Sequence, residues 1–141
     1  MSFKKACEGL PPAQAVVRFH TGDAAAVERT ILAMMRPALR PTAILTMLPS
    51  DALATYSYLL SRRYRIPNDV SVISIFDDPI FSFLLPPLSR YSYDDYHFAR
   101  WMARMLIKMA KQGGRPRSIS TLPNFITGAT IGSPPDSIKA E

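Results

Sequence analysis

Two rhythms of apolar and polar residues alternate along this chain. Compact apolar runs rich in β-branched residues occupy residues 15–19, 42–47 and 70–76, and the stretches between them place apolar side chains every three to four positions. Residues 3–10 read as the last turns of a helix, stopped by Gly9 and Pro11-Pro12. A helix that begins at residue three without a cap predicts a chain cut from something longer. Thr21-Gly22-Asp23 supplies a turn and an N-cap, and Val27, Ile31, Leu32 and Met35 then mark a helix over residues 24–35, closed by Pro37 and Pro41. Pro49-Ser50 opens a helix expected over residues 51–63, with Ser50 as its cap and Asp51 at the positive end of its dipole. Residues 70–76 form the best buried strand, ended abruptly by Asp77-Asp78-Pro79.

Pro86-Pro87 leads into a short strand over residues 88–93, and a long helix follows over residues 94–111, begun by Asp94 and Asp95 and ended by Gly113-Gly114. Thr121-Leu122 and residues 125–130 supply a last strand, and residues 133–141 read as a flexible tail. Strands alternating with helices through short turns predict an α/β fold, a parallel sheet flanked by helices. The long helix has two faces. Phe98, Trp101, Met102, Met105, Leu106 and Met109 share one side, while Arg100, Arg104, Lys108 and Lys111 line the other.

At 141 residues, 48% apolar and 20% charged, the composition is that of one globular domain. The apolar runs are far shorter than the ~20 residues of a membrane span, and no signal-type core follows Met1, so no membrane partner is expected. The single Cys7 fits a reducing compartment, and the expected location is the cytoplasm. A net charge of +6 invites a nucleic-acid reading, but the basic residues are scattered, and the stripe on the long helix is also what a solvated face looks like.

Asp77 and Asp78 sit at the carboxyl end of a buried strand, the edge of an open parallel sheet where ligand crevices form. Either acid can face a ligand there, or serve as the N-cap of a short turn opened by Pro79. An enzyme or phosphoacceptor on a flavodoxin-like sheet, using Asp77 as nucleophile, is the alternative; its lysine and metal-holding acid pair cannot be placed. No Gly-rich phosphate loop occurs, His20, His97 and Cys7 lack metal-ligand spacing, and no nucleophile–base–acid set assembles. No cofactor, metal site or catalytic residue is expected.

Four stretches carry a family resemblance: Arg40-Pro-Thr-Ala-Ile-Leu-Thr, Ala52-Leu-Ala, Ile66-Pro-Asn-Asp-Val-Ser-Val-Ile-Ser-Ile-Phe-Asp-Asp78, and Pro86-Pro-Leu-Ser-Arg90. Together they resemble the lac repressor-type (LacI/GalR) transcriptional regulators over roughly residues 14–132, the block ending at Asp78 being the specific part. The resemblance implies a periplasmic binding protein-like fold of type I, two α/β subdomains around a ligand cleft. This chain would be the second, C-terminal subdomain over residues 1–132, incomplete, with residues 89–111 lent to a missing first subdomain. It further implies a sugar or related metabolite as effector, and DNA contact only through a helix-turn-helix headpiece not present in this sequence.

By the same resemblance Asp77 or Asp78 accepts hydrogen bonds from ligand hydroxyls, and one additional residue between Val72 and Asp77 leaves open which acid points inward. His20 stands where the family often has a ligand-gripping arginine. Leu48-Pro49 replaces a ligand-contacting Asn-Asp pair, with Ser50 and Asp51 as substitutes, and Arg63 replaces a turn glycine. With its natural partner lobe absent, the apolar face of the long helix is expected to form a homodimer through Phe98, Trp101, Met102 and Met105.

Overall fold

A computed structural model describes residues 3–7, 15–36, 40–113 and 120–134. The chain divides into two compact units, Met1–Arg40 and Pro41–Glu141.

The first unit holds helices α1 (Phe3–Cys7) and α2 (Ala24–Met34). The Asp23 side chain accepts from the Ala26 amide at 2.6 Å and caps α2 as its sequence predicts. Ala26, Val27, Ile31 and Met35 are buried, whereas Leu32, expected in the same stripe, is half exposed. Residues 15–19 form no strand. A β-rich composition favours an extended chain, yet a strand also needs a partner for its amides and carbonyls, and no ladder forms there among the described residues. The expected end of α1 at Gly9 and Pro11-Pro12, and Pro37 after α2, lie outside the described residues.

The second unit is built on a four-stranded sheet in the order β1-β2-β3-β4. Strands β1 (Ala43–Thr46), β2 (Ser71–Ser74) and β3 (Ser89–Ser92) are parallel, and β4 (Asn124–Ile126) is antiparallel to β3. The expected parallel sheet thus acquires one antiparallel edge. Helix α3 (Pro49–Ser61) crosses from β1 to β2, and its face of Ala52, Thr55, Tyr56 and Leu59 is buried. With Ile44, Val70, Val72, Phe81 and Leu88 these residues make the core, each large apolar side chain contributing roughly 1.5–3 kcal/mol. The Tyr56 hydroxyl donates to the Pro86 carbonyl at 2.9 Å, and burial raises its pKa.

Helix α3 starts earlier than expected. Its N-cap is Leu48, which makes no side-chain cap bond, and Pro49 opens the first turn. Proline has no amide hydrogen to orphan and its φ is already helical, so it begins the helix in place of the Ser50 cap.

A short 3₁₀ helix, Pro79–Phe83, bridges β2 and β3, and Asp78 caps it by accepting from the Ile80 amide at 3.0 Å. Thr130 ties the amino ends of β2 and β3 together. Its hydroxyl accepts from the Ser89 amide at 2.9 Å and donates to the Val72 carbonyl at 2.6 Å, while its own carbonyl accepts from the Val72 amide at 2.9 Å. Gly128 passes so close to the backbone of Pro87, Leu88 and Ser89 that a Cβ there would collide with it.

Helix α4 (Asp95–Gln112) has no buried residue. Asp94 caps it through the His97 amide at 2.9 Å, and Gly113 at φ 64° ends it; Gly114 is outside the described residues. Within residues 89–111, β3 is hydrogen-bonded between β2 and β4, and α4 carries Trp101, Met105 and Met109 half-buried and its other residues exposed. The register Ile73 opposite Ser89 and Ser74 opposite Arg90 holds β3 here. Of the expected tail, Ser133 and Pro134 are exposed and the rest lies outside the described residues.

Candidate functional site

Because β1 and β2 are parallel and in register from Ala43–Ser71 to Thr46–Ser74, their carboxyl ends open on one edge of the sheet. Two predicted pairs meet that edge. Beyond β1 come exposed Met47 and Leu48, then Ser50 and Asp51 in the first turn of α3; beyond β2 come Phe76, Asp77 and Asp78. Strand β3 runs the same way and delivers Tyr93 to the edge, where its ring meets that of Phe76 with centroids 5.8 Å apart.

The acids have different duties. Asp78 is the cap of the 3₁₀ helix, so one of its oxygens is spent on local structure. Asp77 is ion-paired through Oδ1 with Nε of Arg90. The Arg90 side chain is only 10% exposed and that of Asp77 29%, so the pair is largely withdrawn from water. A buried guanidinium needs acceptors on every side. Arg90 also donates from Nη1 to the Leu88 carbonyl at 3.2 Å and from Nη2 to the Ser82 hydroxyl at 3.1 Å. Asp77 is thereby fixed by β3 and the 3₁₀ helix together, and its Oδ2 accepts no bond among the described residues.

Ser50 is exposed and its hydroxyl lies 3.5 Å from Oδ1 of the half-buried Asp51. His20 belongs to the first unit, where its Nδ1 accepts from the Gly22 amide at 3.1 Å. There it borders an open hollow of about 340 Å³ together with Arg18, Phe19, Thr21, Arg29 and Thr30. The structure thus assembles Asp77, Asp78, Ser50 and Asp51 along one edge, and His20 in a separately described unit.

Sequence reasoning missed Arg90, Ser82 and the Phe76–Tyr93 pair. A signal for Arg90 exists: an arginine at the start of a buried strand demands a nearby acid. Chemically, the edge offers one oriented carboxylate beside apolar and aromatic surface, which suits a ligand with hydroxyl donors on one side and C–H groups on another. The phosphoacceptor alternative would need Asp77 beside a lysine and a metal-holding pair; its partner is instead Arg90, and no group of three His, Cys, Asp or Glu able to hold a metal occurs among the described residues. No helix among them is long and apolar enough to cross a membrane.

An α/β lobe whose parallel strands open at their carboxyl ends on polar groups is a ligand-binding architecture. The family model of the periplasmic binding protein-like domain matches residues 1–131, and the chain belongs to that family. No curated protein matches it. Among solved structures it shares its fold with a LacI family transcriptional regulator from Bifidobacterium animalis subsp. lactis, at TM-score 0.74 and 22% identity over 82% of this chain and 42% of that one. A LacI family regulator from Arthrobacter sp. FB24, solved in complex with lactose, matches at TM-score 0.67 and 21% identity, covering 80% of this chain and 43% of the regulator. A dimeric lac repressor matches at TM-score 0.69 and 19% identity, covering 79% and 41% respectively. The chain therefore spans less than half the length of these regulators, and the lac repressor-type resemblance of its motifs is matched in its fold.

Proposed function

We propose that this chain is the small-molecule-sensing lobe of a LacI/GalR-type transcriptional regulator, with its effector seated at the carboxyl edge of β1 and β2. The observation that carries this reading is the Arg90–Asp77 ion pair, which anchors one carboxylate oxygen at the exit of β2 and leaves the other without a described partner. A carboxylate held this way accepts a hydroxyl or amide donor without reorienting, and hydrogen bonds to charged groups contribute about 1.5–3 kcal/mol. Met47, Leu48 and the Phe76–Tyr93 pair give apolar surface for the carbon face of a sugar or related metabolite. The lactose complex of the Arthrobacter regulator, which shares the fold, supports that ligand class.

Asp77 is the principal ligand group, with Asp78, Ser50 and Asp51 as secondary contacts on the same edge; His20 is a candidate ligand contact of the first unit taken by itself. Leu48-Pro49 narrows the polar side of the site, so the effector relies on fewer donors there than an Asn-Asp pair would satisfy. The chain acts as a sensor and not an enzyme, in the cytoplasm, contacts DNA only through a headpiece outside this sequence, and forms homodimers through Phe98, Trp101, Met102 and Met105.

A cleft ligand is normally buried over roughly 70–90% of its surface, and one lobe offers one wall. The lobe alone therefore binds weakly. Isothermal titration with lactose and a panel of monosaccharides tests this: millimolar or weaker binding is expected, and tight one-to-one binding by the isolated chain contradicts the half-site.

A further inference from the structure

We infer that Ser82 is a positioning residue for the sensing edge: its hydroxyl sets the plane of the Arg90 guanidinium and, through it, the direction in which Asp77 presents its second carboxylate oxygen. This inference rests on the sensing reading above and adds a residue that acts on the ligand only through others.

A guanidinium is flat and rigid, and contacts at all three of its nitrogens fix its plane. Arg90 has them. Its Nε donates to Oδ1 of Asp77, Nη1 to the Leu88 carbonyl at 3.2 Å and Nη2 to the Ser82 hydroxyl at 3.1 Å. The Leu88 carbonyl lies two residues back on the same segment of chain, so Asp77 and Ser82 are the contacts that tie Arg90 to other elements. Without Ser82 two contacts remain. They define a line and not a plane, and the guanidinium can tilt about it. Asp77 would tilt too, because its Oδ2 accepts no bond among the described residues and Arg90 alone holds its carboxylate in rotation.

Ser82 is a fixed point for this purpose. It follows Phe81, whose side chain is fully buried and whose backbone is bonded on both sides. The Phe81 amide donates to the Asp78 carbonyl at 3.0 Å, and its carbonyl accepts from the Leu88 amide at 3.3 Å. The 3₁₀ helix is already capped by Asp78, so the Ser82 hydroxyl is not needed to begin it. Arg90 is the one hydrogen-bond partner of that hydroxyl among the described residues. Ser82 is also exposed, so its replacement disturbs no core packing. A ligand-holding group keeps a good hydrogen bond only when its supports hold it within roughly 0.5 Å, and here the support reaches from the 3₁₀ helix through Arg90 to the edge.

Ser82→Ala and Ser82→Thr in the full chain test this by two readouts. The first needs no ligand: the Nε–Hε signal of Arg90 in a heteronuclear NMR spectrum, assigned by its loss in Arg90→Met. Ser82→Ala should shift that signal and speed its exchange with water, and Ser82→Thr, which keeps the hydroxyl, should restore it. The Val72 and Thr130 amide signals should stay in place, and far-UV circular dichroism verifies the fold. The second readout is an NMR titration with lactose and monosaccharides. Ser82→Ala should weaken binding at the edge about threefold to tenfold, and Ser82→Thr by less than about twofold. An Arg90 signal indifferent to Ser82→Ala overturns the inference, and so does a shifted signal with unchanged sugar affinity. A shifted and rescued Arg90 signal, with no sugar perturbing the edge of the unaltered chain, overturns the sensing reading instead and leaves Ser82 as the residue that orients Asp77.

Discussion

The guanidinium of Arg90, on a central strand, donates from Nε to Oδ1 of Asp77 at the exit of the neighbouring strand. This contact converts an acid on a strand-to-loop junction into a fixed group. It also couples stability to site geometry, because Arg90 cannot be removed without stranding Asp77, Ser82 and the Leu88 carbonyl.

Arg90→Met should destabilise the second unit by about 2–3 kcal/mol, below the full cost of breaking a wholly buried pair because Asp77 keeps some solvent. The double variant Arg90→Met/Asp77→Asn should be less destabilised than the sum of the single changes. Urea unfolding of the four proteins measures this, and additive single effects would show that the two groups act independently.

Gly128→Ala should cost about 3 kcal/mol or more, because the methyl group meets the backbone of residues 87–89 and no flexible side chain can yield. Thermal unfolding should show a large drop in Tm. An unchanged Tm would mean that residues 128–130 are not clamped to β2 and β3.

Arg63 sits at φ 62°, in the left-handed region that L side chains resist. Arg63→Gly should therefore stabilise the chain by about 1 kcal/mol, read as a raised urea midpoint, whereas Arg63→Val should lower it.

The strand exits were legible in the sequence because a run such as residues 70–76, cut off by Asp-Asp-Pro, has few ways to end. The cap role of Asp78 was written in the proline after it, and Asp23 in its turn. Ser50 misled because proline can open a helix unaided. Residues 15–19 show that β-rich composition does not supply a partner strand. The Arg90–Asp77 pair joins separate strands, and no local rule pairs them; only the cost of burying a lone guanidinium hinted at it. Periodicity identified the apolar face of α4 but said nothing of what covers it, and Leu32 on α2 marks the same limit.

The hydrogen bonds that Asp94 accepts from the His97 amide and imidazole hold its carboxyl below the ordinary value. A depressed carboxylate stabilises above its unfolded pKa of about 3.9 and loses that contribution as pH falls through the lower folded value. The start of α4 should thus stay capped through mildly acidic pH and fray only below it. Circular dichroism against pH should show this low-pH loss, and Asp94→Ala should show the frayed helix already at neutral pH.

The most direct test of the sensing edge is an amide NMR titration of the labelled chain with lactose and monosaccharides at high concentration, compared with Asp77→Ala. Shifts concentrated at residues 46–51 and 76–78 that vanish in the variant are expected. Shifts confined to other surfaces, or none for any sugar, would contradict a sensing edge there.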